Sequence, residues 1–248
     1  TADYVSKNIL LLGGETAERL DTSKRTLLLK SGTELGFRKL LLASGGRPQP
    51  LNTPGEELPG VSRFQTIEDA DAMREFLPTV RRAVVVGGGF IALEYLEILA
   101  QRNIPVTLVL PYAHFLGRFM DAAGGRILTE NFERYDIEVV ANDRLRAIDG
   151  GETVQGIQTE MGCTLEADFL GIGIGLLRDT AWLESSGLNT SANGVITDEF
   201  LGTSVPGIFA AGDAADFYDI TLGFRHTHGN WGNAFRKGEL AGRNMVAP

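Results

Sequence analysis

The stretch Val84-Val85-Val86-Gly87-Gly88-Gly89-Phe90-Ile91-Ala92 most narrows what this chain can fold into. It has the form G-x-G-x-x-A, between an apolar strand read over residues 82–86 and a helix read over 89–101. Gly87 permits the tight turn from strand to helix. Gly89 has no Cβ, so backbone there can approach a pyrophosphate. Ala92 is the third small residue, which lets helix and strand pack closely. The first N–H groups of such a helix have no partner within it, and the helix dipole favours an anion there. The spacing therefore implies a dinucleotide site and a parallel α/β sheet around it. The ribose-binding acid of such sites stands about 20 residues on, at the end of the second strand. Here that strand reads Val106-Thr107-Leu108-Val109-Leu110-Pro111, with Leu110 at the acid's place. The anionic discriminator against a 2′-phosphate is missing, so NADH and NADPH both stay open. Arg118 and His114 are the nearby groups able to meet a phosphate, and spacing alone does not assign either.

The surrounding pattern extends this reading. A helix is expected from Thr66, as N-cap, to about Leu77, closed by Pro78, with Asp69 three residues after the cap. Strands at 106–110 and 137–140 alternate with a helix at 121–135, which requires right-handed crossovers in one parallel sheet. Residues 143–172 read as a meander with turns at Asp149-Gly150-Gly151 and Met161-Gly162. Residues 8–46 read as a second antiparallel meander. Its strands are 9–12, 25–30 and 39–43, the last continuously apolar and expected to be buried on both faces. Residues 47–60, rich in proline and glycine, read as a linker. Towards the end come strands at 195–197 and 208–213 and a helix from about Asn230 to Met245.

Composition excludes several classes. The net charge of −9 and the lack of clustered Lys and Arg argue against a nucleic-acid partner. One cysteine, Cys163, rules out a disulfide within the chain and points to a reducing, cytoplasmic setting. No apolar run approaches the roughly 20 residues needed to span a bilayer, and no signal peptide is visible. His226 and His228 alternate, but no third ligand has suitable spacing, so no metal is expected. Cys163 falls in a segment read as a hairpin, without basic neighbours, and reads as a spectator.

A second block, Thr203-Ser204-Val205-Pro206-Gly207-Ile208-Phe209-Ala210-Ala211-Gly212-Asp213, ends an apolar strand in Gly-Asp. Asp213 there can accept hydrogen bonds from ligand hydroxyls, or equally cap the next turn. Together with Lys39-Leu40-Leu41-Leu42-Ala43-Ser44-Gly45-Gly46-Arg47-Pro48 and residues 87–94, it resembles the FAD-dependent pyridine nucleotide-disulfide oxidoreductases. The branch is that of ferredoxin and rubredoxin reductases, NADH oxidases and apoptosis-inducing factor. The three blocks occur in the family's order across most of the chain.

The resemblance implies an α/β fold: a Rossmann-like three-layer NAD(P)-binding domain, residues 63–194, inserted in a partial FAD-binding domain. The latter comprises residues 1–62 and a return segment, 195–248, and each domain carries a β-meander. It further implies FAD and NAD(P)H as cofactors. Ser44, Gly45 and Arg47 would lie along the FAD, and Gly212 and Asp213 would hold its ribityl chain. Trp231 would stand beside the flavin, with the helix start near Asn230 aimed at it. Gly87, Gly88, Gly89, Phe90, Ile91 and Gly175 would line the nicotinamide dinucleotide, and Glu94 would be the catalytic glutamate near the reacting atoms. The implied activity is hydride transfer from NAD(P)H to flavin, with electrons passed to an open choice of acceptor, a small electron-carrier protein among them. The alternative is a non-catalytic dinucleotide-binding or interaction module derived from the family.

Several departures qualify the match. The family's first G-x-G-x-x-G unit and its lysine partner for the glutamate are expected upstream of Thr1, as is any redox cysteine. Its C-terminal dimerisation domain is expected beyond Pro248, leaving oligomerisation to the complete protein. These 248 residues alone are then expected to retain FAD poorly. Gly173-Ile174-Gly175-Leu176-Leu177-Arg178-Asp179 replaces the family's G-x-G-x-R-P-N, which with Leu110 weakens the expectation of tight nicotinamide binding.

Overall fold

In the strand Ala83–Val86 every side chain is buried, and the alternation of a pleated strand sends them to two different cores. Ala83 and Val85 face helices, while Val84 and Val86 face an antiparallel sheet. A continuous apolar run is therefore required here, because both faces of the strand are covered. The computed structural model describes residues 2–117, 119–227 and 229–246. It divides into two units, Arg47–Leu177 and the combination of Thr1–Gly46 with Arg178–Pro248.

In the first unit a five-stranded sheet runs in the order Val61–Arg63, Phe169–Ile172, Ala83–Val86, Val106–Leu110, Ile137–Ala141, all parallel. The helices Phe90–Ala100 and Ala122–Glu133 make the crossovers. Ala92, Tyr95, Leu96 and Leu99 line the buried face of the first, and Phe132 anchors the second. The strands Leu145–Gly150, Val154–Thr159 and Thr164–Glu166 form the antiparallel layer on the sheet's other face. The helix Ile67–Phe76 starts with the expected Thr66 cap. The Thr66 hydroxyl accepts from the Asp69 N–H at 3.1 Å, and the Asp69 carboxylate accepts from the Thr66 N–H at 2.8 Å.

Phe169–Ile172 was expected in the meander but lies in the parallel sheet. Its four residues are all buried, which a one-sided meander strand cannot achieve. Gly171 makes room there: a Cβ on it would sit 2.9 Å from the Tyr95 ring. Residues 47–60 are also more than a linker. Arg47–Pro48 pairs antiparallel with Leu176–Leu177, and Gly55 and Gly60 pack against Ile148 and Val154 of the antiparallel layer. The two compact units divide at 46/47 and 177/178. Residues 178–194 contribute Leu183 and Leu188 to the second unit's core.

Asp143, 3% exposed, ties the antiparallel layer together by accepting from the N–H groups of Arg144 at 2.8 Å and Met161 at 3.0 Å. Burial alone raises its carboxyl. The Thr159 hydroxyl and the N–H groups of Met161, Arg144 and Glu160 outweigh that and hold it below the ordinary carboxylate range. A carboxyl held low in the folded state stabilises it above the unfolded value of about 3.9, and that gain is lost as pH falls through the folded value. Asp143→Asn is expected to lower the melting temperature at neutral pH, with the gap to the parent protein closing below about pH 4. Melting curves against pH check this, and a gap unchanged down to about pH 3 would refute it.

The second unit holds the meander Ala17–Asp21, Thr26–Leu29, Glu34–Gly36. It also contains a parallel pair, Leu40–Leu42 with Ile208–Ala210. A four-stranded sheet follows the order Thr190–Ser191, Gly194–Thr197, Ala215–Asp219, Phe224–His226. The helix Trp231–Val246 closes the chain. Leu20, Leu42, Leu183, Val195, Ile208 and Ala215 share its main core. Two sequence expectations are corrected here. Residues 9–12 form no strand, and Ile9, Leu10, Leu11 and Leu12 are exposed, because apolarity without a pairing partner among the described residues makes no ladder. Leu40–Leu42 leaves the meander for a parallel partner, and Leu40 and Leu41 are only half-buried. No helix among the described residues is long and apolar enough to cross a membrane.

Candidate functional site

The first candidate site is the glycine turn at the carboxyl end of Ala83–Val86, where ligands of open parallel sheets bind. Gly87 has φ +131°, a conformation that side-chain-bearing residues rarely adopt. A Cβ on it would lie 2.1 Å from the Gly173 carbonyl oxygen. Gly173 in turn presses on Ala92, where its own Cβ would meet the Ala92 nitrogen at 2.7 Å. Gly87, Gly173 and Ala92 thus interlock, and their smallness sets how closely helix and sheet approach. Gly89 differs from them: it caps the helix Phe90–Ala100 with no side-chain hydrogen bond, and a Cβ there would meet nothing within 4 Å. The space a side chain would occupy at Gly89 is open, beside helix N–H groups that have no intrahelical partner. This cradle fits a pyrophosphate.

Gly88 packs near Tyr112, and the Phe90 ring, 38% exposed, lies 5.6 Å from that of Phe119. Ile91 and Gly175 share a small pocket of about 20 Å³ with Phe64, Gln65 and Ile172. Glu94 is exposed, one helical turn beyond Phe90. Leu110 is fully buried in the helix-side core, so the position of the ribose acid contributes no polar group. The His114 ring is wedged against Gly125, with Nδ1 at 3.2 Å from the Phe115 carbonyl oxygen. Arg118 lies outside the described residues.

The second candidate site is in the other unit. Leu42 and Ala210 are register partners in the parallel pair, and the Ala211 N–H donates to the Leu42 carbonyl at 3.0 Å. The two strands therefore deliver Ser44-Gly45 and Gly212-Asp213 side by side at their carboxyl ends. Ser44 is exposed, and Gly45 and Gly212 take φ of +66° and +67°. The final helix packs on this turn through Ala234, which a Cβ at Gly212 would meet at 3.6 Å. Its start is capped by Asn230, whose side-chain oxygen accepts from the Asn233 N–H at 2.8 Å. Trp231, 87% exposed, begins the helix, and Gly229 adjoins the Asp213 carboxylate. Arg47 belongs to the first unit, exposed in its pairing with Leu177.

Asp213 carries the electrostatic tension of this site. Its Oδ1 is buried without a hydrogen-bond partner. Burial raises its carboxyl, opposed by the charges of Arg178 and Lys237. Arg178 Nε donates to the Asp213 backbone carbonyl at 2.8 Å. An unsatisfied buried carboxylate oxygen costs free energy unless a donor completes it, which fits the hydroxyls of a ribityl chain.

Lys237 was not singled out from the sequence. It is 5% exposed, with Nζ lacking a hydrogen-bond acceptor and standing 4.0 Å from the Phe217 ring centroid. A signal existed: Ala234, Lys237 and Ala241 share the helical spacing of one face, and the lysine interrupts a stripe of small apolar residues. His226 bonds Asp219 through Nε2 at 3.1 Å, and His228 lies outside the described residues. No group of three metal-ligating side chains occurs among the described residues, and Cys163 is exposed.

The chain is similar to known proteins over nearly its whole length. It is 28% identical to the nitrite reductase (NAD(P)H) of Bacillus subtilis over 89% of this chain and 27% of that protein. It is 30% identical to the putidaredoxin reductase of Pseudomonas putida over 87% of this chain and 52% of that one. The crystal structure of a ferredoxin reductase from Rhodopseudomonas palustris superposes with a TM-score of 0.90 at 27% identity, covering all of this chain and 61% of that one. The chain thus spans about a quarter to about a half of the length of these two curated relatives. Residues 2–238 match the family model for pyridine nucleotide-disulphide oxidoreductases, and with both glycine-lined strand ends in that stretch, the chain belongs to that family.

Proposed function

We propose that this chain is the nucleotide-binding part of an NAD(P)H-dependent FAD oxidoreductase. The observation that carries the reading is the buried, unpartnered Asp213 oxygen at a parallel strand end, in a chain that also holds an open dinucleotide cradle at Gly89. The bound cofactors supply the redox chemistry, NAD(P)H giving hydride and FAD accepting it. The residues of the chain bind and orient. Gly87, Gly88 and Gly89 form the turn that admits the pyrophosphate, with Phe90 and Ile91 opening the helix behind it. Gly175 and Ile91 line the adjoining pocket. Glu94 stands one turn along that helix, exposed, and takes the catalytic role. Ser44, Gly45 and Gly212 leave backbone room for FAD, and Asp213 accepts from its ribityl hydroxyls. Trp231 stands beside the flavin, and the helix start at Asn230 presents partial positive charge to it, which favours its reduced form.

The relatives named for putidaredoxin and ferredoxin support a small electron-carrier protein as acceptor. Leu110 supports a second reading, a dinucleotide-binding module without turnover, since no acid anchors the ribose. One experiment separates the two. The protein with its full natural chain is loaded with FAD and given NADH or NADPH without oxygen. Loss of the visible flavin absorbance is the expected result. Dinucleotide binding with the absorbance unchanged would establish the second reading, and failure to bind FAD would overturn the first.

A further inference from the structure

A buried lysine with no acceptor is costly, because desolvation penalises the ammonium unless a charge nearby offsets it. Lys237 sits on the face of the final helix that packs on the Gly212-Asp213 turn, three residues after Ala234 and four before Ala241. Its Nζ rests on Phe217, a residue of the strand that follows the same turn. A methionine or leucine would fill this volume without the desolvation cost, so packing alone does not explain a lysine here. The charge has an evident counterpart. Asp213 Oδ1 is likewise buried and unpartnered, and each of the two groups acts electrostatically on the other. Resting on the FAD reading above, we propose that Lys237 is a positioning residue for the flavin. Its buried ammonium favours the charged form of the Asp213 carboxylate, the acceptor for the ribityl hydroxyls, so FAD retention depends on the lysine's charge.

The arrangement has a measurable consequence in pH. Burial pushes the Lys237 ammonium down to about 8, opposed chiefly by Asp213. Arg178 lowers it further, and Asp216 and Asp219 raise it. His226 contacts the same Phe217 ring and is bonded to Asp219, and Arg225 donates to the Asp216 carbonyl at 3.1 Å. Lys237 loses its charge on going from neutral to mildly alkaline pH. FAD affinity is then fully present below about pH 8 and falls as pH rises through that value.

The test uses the protein with its full natural chain, stripped of FAD and titrated back with it between about pH 7 and about pH 9. The parent protein is expected to bind more weakly at the alkaline end. Lys237→Met keeps the stem's packing on Phe217 and removes the charge. It is expected to bind FAD about ten-fold more weakly at pH 7, with the pH step gone. Lys237→Arg keeps the charge and is expected to restore neutral-pH affinity without a step in this range. Melting curves report folding separately, and if the methionine variant does not fold, the step in the parent protein decides. A parent protein that binds FAD with no step overturns the proposal, as does a folded methionine variant that binds like the parent. An arginine variant as weak as the methionine variant would make shape, not charge, the cause and overturn it too. A parent protein that binds no FAD at any pH would instead overturn the functional reading beneath it.

Discussion

Gly87→Ala will destabilise the protein by about 4 kcal/mol and eliminate measurable dinucleotide binding. Two independent penalties add. The backbone at φ +131° is one that L-residues rarely take, which costs on the order of 1–3 kcal/mol. The new methyl group would also lie 2.1 Å from the Gly173 carbonyl oxygen, and that oxygen belongs to backbone hydrogen-bonded into the sheet. The Gly173 N–H donates to the Val86 carbonyl at 2.8 Å, and the Gly87 N–H to the Val109 carbonyl at 2.9 Å, so neither side can yield without breaking the ladder. Gly89→Ala is the informative control. Its Cβ meets nothing within 4 Å and its φ of −116° suits any residue, so folding should be unaffected. The methyl group would instead enter the space a pyrophosphate needs. Melting temperature and NADH titration on both variants distinguish the two roles. An unchanged melting temperature for Gly87→Ala would disprove the interlock, and undiminished NADH affinity for Gly89→Ala would remove the cradle.

Asp213→Ala carries the second large effect, on the other cofactor. A hydrogen bond to an ionised carboxylate contributes roughly 1.5–3 kcal/mol, so FAD affinity should fall about ten- to a hundred-fold. The substitution also leaves Lys237 buried with its main counter-charge removed, which adds a cost in stability. A double variant, Asp213→Ala with Lys237→Met, separates the contributions. Melting temperature should recover relative to the single variant, because the stranded charge is gone, while FAD affinity stays low. If the double variant melts at or below the single one, the two charges are not coupled. If Asp213→Ala retains FAD like the parent protein, the ribityl assignment is wrong.

The glycine turn and the alternation around it were legible because they are local. A strand of four apolar residues, a G-x-G turn and a largely apolar helix are each encoded within a dozen positions, and all recur at their expected places. So does the Thr66 cap, whose reciprocal bonds span three residues. The misread segments share one property: their state depends on a partner far along the chain. Phe169–Ile172 follows a meander yet pairs with Ala83–Val86 and Val61–Arg63. Leu40–Leu42 pairs with Ile208–Ala210, more than 160 residues away, while residues 9–12, equally apolar, pair with nothing among the described residues.

The candidate sites divide in the same way. The sequence by itself determined the turn, the residue types able to meet phosphate and hydroxyl groups, and the absence of an acid at Leu110. Each of these is a property of residues at short spacing. Only the tertiary structure decided that Gly87 is held against Gly173 while Gly89 is open, though the two look alike in sequence. Only it placed Ser44-Gly45 beside Gly212-Asp213, and only it buried Lys237 against the Phe217 ring. Burial sets whether a polar atom is solvated or left needing a partner, and burial is a property of what packs around a residue. One strand's chemistry is therefore written in its own residues, and its electrostatics in those of its neighbours.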